Sequence, residues 1–425
     1  MQIQSTKQNA SQKFWTGGLI CIVAALFYCY EFILRILPGA LQAELSAAFG
    51  NISATAFGQI SAAYYFAYSP MQLPVGMLMD RYGPRRLLIF ACLCCTLGSW
   101  FFMQTDSISL SSFGRFLVGF GSSFAFVGVL TLALHWLPRK YFSFAAGLIT
   151  TLGMLGLVYG EVKIADIALS MGWKHVLYLT VIGGFGLNFI IFLVVRDAPV
   201  SYINHTNSAR VFFNHVKIIL FDPQIWIIGV IGACLYTSLS VFGELWGQTY
   251  LEQAHHLSKL EAAHAVSALF LGWAVGAPIF GYISDRSGHR LLLLIIGAIM
   301  SLICIGFILY YTGIPYIILN ILLFAYGVFS GTEIIIFIMG KENSMHELSG
   351  TAFAVVNMIV TLGGVILQPL VGRLLDVFNS HEIIDGKHVY SILDYQFALS
   401  VLPIALCIVI IFAFFVKNKK SIIRN

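Results

Sequence analysis

The sequence predicts an all-α membrane protein with twelve transmembrane helices in two six-helix bundles. Three observations carry that prediction. Hydrophobic residues make up 59% of the 425, and charged residues only 10%, against roughly 25% charge in a soluble domain. The chain breaks at polar turns into about twelve apolar runs, most near the ~20 residues that cross a hydrocarbon core. One short pattern also occurs twice, starting at Gly76 and at Gly281. A repeat at about half the chain length marks a membrane protein built from two like halves.

The elements follow in order. Met1 to Lys13 is polar, and the apolar run 14–37 reads as a first helix that stays in place, with no signal peptide. Further spans are expected at 54–79, 87–104, 109–134, 141–162, 174–195, 223–250, 261–283, 291–311, 315–340, 349–372 and 394–416. Asp222 precedes Pro223 as an N-cap, and Ser258/Glu261 and Ser391/Asp394 have capping-box spacing. The longest polar stretch in mid-chain, 196–222, is the natural linker between an N-terminal bundle (1–195) and a C-terminal bundle (223–425). No loop has room for a soluble domain. No Walker A pattern is present, which argues against direct coupling to ATP hydrolysis.

Orientation follows from the basic residues. With the N-terminus inside, seventeen Lys and Arg fall on the cytoplasmic side and five on the outer side, while Arg35 and Arg115 lie within spans. Both termini are therefore expected in the cytoplasm. The net charge of +5 is dispersed among short loops, which is no nucleic-acid signal. The eight cysteines all lie in apolar runs, and even Cys92, Cys94 and Cys95 lack the His or Cys pairs of a metal site. They read as small buried hydrophobes. His255 and His256, with His264 nearby, read as solvated residues of an outer loop.

Both copies of the repeated pattern read G-x-x-x-D-R-x-G-x-R, and each ends an apolar run. Gly76 lets another helix approach closely, and Gly83 permits a tight turn before Pro84. Asp80 and Arg81, with Asp285 and Arg286 in the second copy, lie at the membrane edge, where they can latch the two halves. Arg85 and Arg86 hold the first loop inside.

This pattern resembles the loop signature between the second and third helices of the major facilitator superfamily, and the second copy resembles its counterpart between helices eight and nine. Arg115-Phe116-Leu117-Val118-Gly119-Phe120-Gly121 looks like the family's fourth-helix pattern R-x-x-x-G-x-G. The fifth helix is rich in glycine, at Gly147, Gly153, Gly156 and Gly160, but lacks the Gly-Pro pair of drug/proton antiporters. The Pro-Glu-Thr signature of sugar porters is absent where the chain reads Arg196-Asp197-Ala198-Pro199. Tyr28-Cys29-Tyr30-Glu31 through Arg35, with Tyr64-Tyr65-Phe66-Ala67-Tyr68 and Met71-Gln72, is similar to bacterial nutrient-uptake members, including the phagosomal nutrient transporter type. The resemblance implies the major facilitator fold, alternating access and a bacterial inner membrane.

Charges inside spans cost roughly 2.5–3.5 kcal/mol each on insertion scales, so each requires a reason. Tyr28, Glu31 and Arg35 share one face of the first helix, and Tyr64, Tyr68 and Gln72 one face of the second. Tyr28, Arg35, Tyr64, Tyr68 and Arg115 are the candidate substrate-binding residues. Arg115 has the alternative of bonding helix carbonyls. Glu31 is the first candidate for proton coupling and Glu333 the second, the latter alternatively gating with Lys341. Glu161 and Glu244 read as outer-gate groups. Asn357 and Gln368 read first as packing residues, with hydrogen bonds into the cavity as the alternative, and Gly156/Gly160 and Gly327/Gly331 read as close helix contacts.

The expected function is secondary active transport, proton-coupled uptake of a small polar solute with a carboxylate: an amino acid, short peptide or organic acid. Arg35 or Arg115 would take the carboxylate and Glu31 a proton. The partners are that solute, protons and the lipid bilayer, with no nucleic acid, cofactor or metal, and no enzyme activity is expected. The alternatives are an exporter of a drug or siderophore with the same fold, and a membrane sensor or structural partner.

Overall fold

The computed structural model describes residues 2–104, 107–138, 141–197, 209–378, 383–384 and 387–417. Arg139, Lys140, Lys419, Lys420, Arg424 and the linker segment 198–208 lie outside the described residues. Among the described residues, eleven helical segments are long and apolar enough to cross a membrane. The second expected span completes the twelve, but it is not one helix. It runs as α3 (Ala54–Met71) and α4 (Val75–Tyr82), interrupted at Gln72-Leu73-Pro74. Pro70 and Pro74 each lack a backbone N–H, so the helical ladder cannot run unbroken through this stretch.

The first bundle is built from α1 (Gln2–Ala40), a short α2 (Gln42–Ala48), α3 with α4, and α5 (Pro84–Phe102). Its fourth span is α6 (Ile108–Ser122) with α7 (Ala125–Trp136), and α8 (Phe142–Met171) and α9 (Trp173–Val194) complete it. The expected linker carries a helix, α10 (Ala209–Leu220), which packs on a helix of the second bundle. The seventh span is α11 (Pro223–Thr237), a π-helical segment Ser238–Trp246, and α12 (Gly247–Ala254). Then come α13 (Lys259–Ser287), α14 (Arg290–Tyr310), α15 (Tyr316–Ser330) and α16 (Ile334–Asn343). The chain closes with α17 (Ser349–Phe378), α18 (Ile392–Leu399) and α19 (Val401–Ala413). A two-residue strand pair, Ile383–Ile384 with Lys387–His388, lies between α17 and α18.

The predicted caps form. Asp222 accepts from the Gln224 N–H, and Ser258/Glu261 and Ser391/Asp394 make complete capping boxes. The expected close contacts form as well: a Cβ on Gly156 would meet the Cys29 carbonyl at 2.7 Å, and one on Gly331 the Ala277 backbone nitrogen at 2.7 Å.

The two halves meet through α3 on α17, α8 on α13, and α1 on the π-helical segment. We call the end opposite the repeated motif the far end. There, Gly58 of α3 faces the Gln368 carbonyl, 2.8 Å from where a Cβ would sit, and Gly372 of α17 abuts the Ala54 carbonyl. The same end carries the Glu44–Lys259 ion pair and a hydrogen bond of 2.7 Å from the Thr249 hydroxyl to the Gln42 side-chain oxygen. His255 is not a solvated loop residue. It is buried beside Tyr250, its Nε2 lies 2.9 Å from the Ile308 carbonyl, and burial holds the imidazole below its ordinary pKa.

Candidate functional site

The first helix brings Glu31 and Arg35 one turn apart on its inner face, and both are buried. The Arg35 Nη2 donates to both Glu31 oxygens at 3.2 Å. Its Nε donates to the Tyr64 hydroxyl at 3.0 Å, and Tyr64 donates in turn to Glu31 at 3.2 Å. Its Nη1 crosses to the second half, where it donates to the Tyr236 hydroxyl at 3.1 Å and lies 3.9 Å from Glu244. Glu244 also accepts from the Tyr65 hydroxyl at 2.5 Å and from Tyr236 at 3.3 Å. The Arg35 guanidinium lies 5.1 Å from the Tyr68 ring centroid, and Tyr68 stacks on Tyr64. One guanidinium thus joins a carboxylate from each half, using the fixed fork of donors that only arginine has.

Of the predicted residues, Glu31, Arg35, Tyr64 and Tyr68 come together. Tyr28 is buried next to them but packs on Phe32 and Phe126. Arg115 uses its two terminal nitrogens on the Leu34 and Arg35 carbonyls of α1, at 2.7 and 3.3 Å. That is the alternative role foreseen for it, and its guanidinium also lies 5.2 Å from the Tyr64 ring centroid. The glycine four residues on has a spatial reason: a Cβ on Gly119 would overlap the Tyr64 carbonyl, so α6 crosses α3 in direct backbone contact. Glu333 is buried in the second half and accepts from the Trp273 indole at 3.3 Å, while Lys341 lies over the Phe353 ring.

The sequence reading missed Tyr65 and Tyr236 and assigned Glu244 to an outer gate. The structure places Glu244 in the central network instead. The signal was present, since an acid in a span is a site candidate by default. The obstacle was periodicity. The π-helical segment from Ser238 changes the register between Tyr236 and Glu244, which an even helical wheel does not anticipate. Tyr65 falls beside the stripe formed by Tyr64 and Tyr68, yet it is the residue that reaches across the seam. Asn357, read as packing, also joins the halves, donating to Gln72 at 2.8 Å. Gln368 behaves as read, bonding the Ser240 carbonyl at 2.7 Å.

The two motif copies differ. Gly83 has φ +79° and makes the expected turn, and Asp197 accepts from the Arg85 N–H at 3.0 Å beside it. Gly76 meets no helix: nothing lies within 4 Å of the Cβ it lacks. Asp80 is exposed with His135 as its electrostatic neighbour, Arg81 lies over Tyr82, and Arg86 is exposed. In the second copy, Arg290 bridges Asp285 at 3.7 Å and Glu342 at 2.7 Å, and Arg286 donates to Tyr282.

Comparison with known proteins agrees with this architecture. The probable galactarate/D-glucarate transporter GudP of Escherichia coli is 21% identical, the match covering 92% of this chain and 94% of that one. The lysosomal dipeptide transporter MFSD1 of Mus musculus is 23% identical over 84% of this chain and 79% of its own. A bacterial homologue of the human lysosomal transporter Spinster, solved in an inward-facing and unoccupied conformation, superposes with a TM-score of 0.73 at 16% identity, covering 94% of this chain and 96% of that one. The family model of the Major Facilitator Superfamily matches residues 19–368 and, overlapping, 249–422. With a family match along nearly its whole length and curated transporters among its relatives, this multi-pass membrane protein is a transporter rather than an enzyme, and it belongs to the major facilitator superfamily.

Proposed function

We propose that the protein is a proton-coupled importer of small polar solutes bearing a carboxylate. The observation that carries this reading is the Arg35 guanidinium, held in the centre between Glu31 of one half and Glu244 of the other. A substrate carboxylate arriving there competes with both acids for the same fork of donors. Displaced from Arg35, Glu31 is a buried charge without its partner, and taking up a proton removes that cost. The network is then neutral enough for the halves to turn. The names of two relatives support the solute class, since a sugar diacid and a dipeptide both carry carboxylates.

In this reading the halves are residues 1–195 and 223–425, joined by 196–222, and they rock about the Arg35 network. The motif end faces the cytoplasm of a bacterial cell with both termini, as the Lys/Arg bias supports. The far end, where Glu44–Lys259 and the α3–α17 contacts lie, is then the outer gate. Asp80 and Asp285 belong to the inner latch.

The test is uptake into proteoliposomes. A thermal-shift screen against sugar acids, dipeptides and amino acids identifies a ligand. Glu31→Gln then abolishes uptake driven by a pH gradient while keeping binding and counterflow exchange, and Arg35→Ala loses binding. Concentrative uptake by Glu31→Gln in response to external acid would overturn the coupling role.

A further inference from the structure

Glu161 sits on α8 where that helix packs against α13 of the other half, and it is 1% exposed. Neither of its carboxylate oxygens has a hydrogen-bond partner. The seam around it is closed. One turn earlier the Val158 carbonyl accepts from the Ser267 hydroxyl of α13 at 3.0 Å, and Gly160 lies against Ile33 and Ile36 of α1.

The charged groups that act on Glu161 are Lys259, Glu252 and Glu244. None of them neutralises it. Lys259 is committed to Glu44, Glu252 accepts from Gln248, and Glu244 is held by Arg35, Tyr65 and Tyr236. The other titratable groups on the packed helices are turned elsewhere. Glu261 and His264 of α13 are exposed, as are Lys174, His175 and Tyr178 of α9. Glu31 and Arg35 of α1 pair with each other, and Lys163 and Asp166 of α8 pair at 3.1 Å on the surface. His135 of α7 lies at the motif end, beside Asp80. Among the described residues at this end, the acceptors Glu44 Oε2 and Gln248 Oε1 are also unpartnered.

A carboxylate carrying its charge into such a site would cost several kcal/mol with no ion pair or hydrogen bond to offset it. A neutral acid costs far less. We propose that Glu161 is a second proton-binding site of the transport cycle, loaded when the far end is open to water and required to be loaded for that end to shut. The inference rests on the proton-driven reading above, and it differs in placing a proton on the gate rather than in the substrate network. Its sign follows from linkage. The closed far end binds one more proton than the open one, so acid favours closure and alkali favours opening.

The experiment measures the gate directly. Spin labels on cysteines at Ala43 and Leu393, exposed residues of opposite halves at the far end, report its opening as a distance in lipid nanodiscs, with the exposed Cys407 replaced by serine. In the parent protein the open-to-closed ratio rises with pH, by up to about tenfold per unit for one linked proton. Glu161→Gln holds the short distance at every pH, and so does Glu161→Met, which keeps the length without any proton to exchange. Asp166→Asn, at an exposed acid of the same helix outside the Arg35 network, keeps the parent response. A Glu161→Gln or Glu161→Met protein that still opens with rising pH as the parent does would overturn the proposal. If the distance titrates through Glu161 while a pH gradient drives no uptake by the parent protein, the importer reading fails and the gate site stands.

Discussion

The carboxylate of Asp376, near the end of α17, caps the start of α3 at Thr55. Its Oδ2 accepts from the Thr55 N–H at 2.8 Å and from the Thr55 hydroxyl at 2.5 Å, and its Oδ1 from the Ala54 N–H at 3.0 Å. The Tyr390 hydroxyl donates to the same carboxylate at 2.6 Å. The next free amide of α3, on Ala56, goes to its own N-cap Ser53. A helix start in one half is thus served by an acid from the other, and the positive end of the α3 dipole receives a full negative charge. Separating the halves at the far end strips α3 of that cap.

Asp376→Ala should therefore loosen the far end. The lost cap costs about 1–2 kcal/mol, expected as a lowered midpoint in thermal unfolding. A cysteine at Ala43, on the far end, should react with an impermeant maleimide several-fold faster in intact cells than in the parent. An unchanged rate would show that the cap does not hold the gate, and reaction only after cell lysis would reverse the proposed orientation.

Asp80→Asn should slow transport by about tenfold, or roughly 1.4 kcal/mol in the barrier, while ligand affinity in thermal-shift titration stays within a few-fold. Asp80 is exposed in this arrangement, so a latch through it would have to form in the other access state. Asp285→Asn, which loosens only the pairing of Arg290 within its own half, should have the smaller effect. Parent-like transport by both variants removes the latch from the mechanism.

Tyr65→Phe keeps the ring and deletes the hydroxyl that donates to Glu244. A hydrogen bond to a charged group contributes about 1.5–3 kcal/mol. Freed of that donor, Glu244 draws harder on Arg35 and competes better with an incoming carboxylate. The expected result is a ligand affinity lowered about tenfold, measured by titration calorimetry, with the same fold by circular dichroism. Unaltered affinity would place Tyr65 outside the substrate network.

The sequence by itself determined the number of spans, the two-bundle fold, the caps at Asp222, Ser258 and Ser391, and the placing of Glu31 and Arg35 as charges on one face of a span. Each of these is local. A span is a count of apolar residues, a cap is a spacing of three, and a charge in hydrocarbon is costly wherever it sits. Only the tertiary structure decided which charges share a site. Glu244, on the π-helical segment Ser238–Trp246, reaches Arg35 at the centre, and Arg115 gives its terminal nitrogens to the carbonyls of α1. The cap between Asp376 and Thr55 joins residues far apart in the chain, and neither residue type nor spacing reports a partner on another helix. Burial without a partner, the property that singles out Glu161, is likewise a relation among helices and exists only once they are packed.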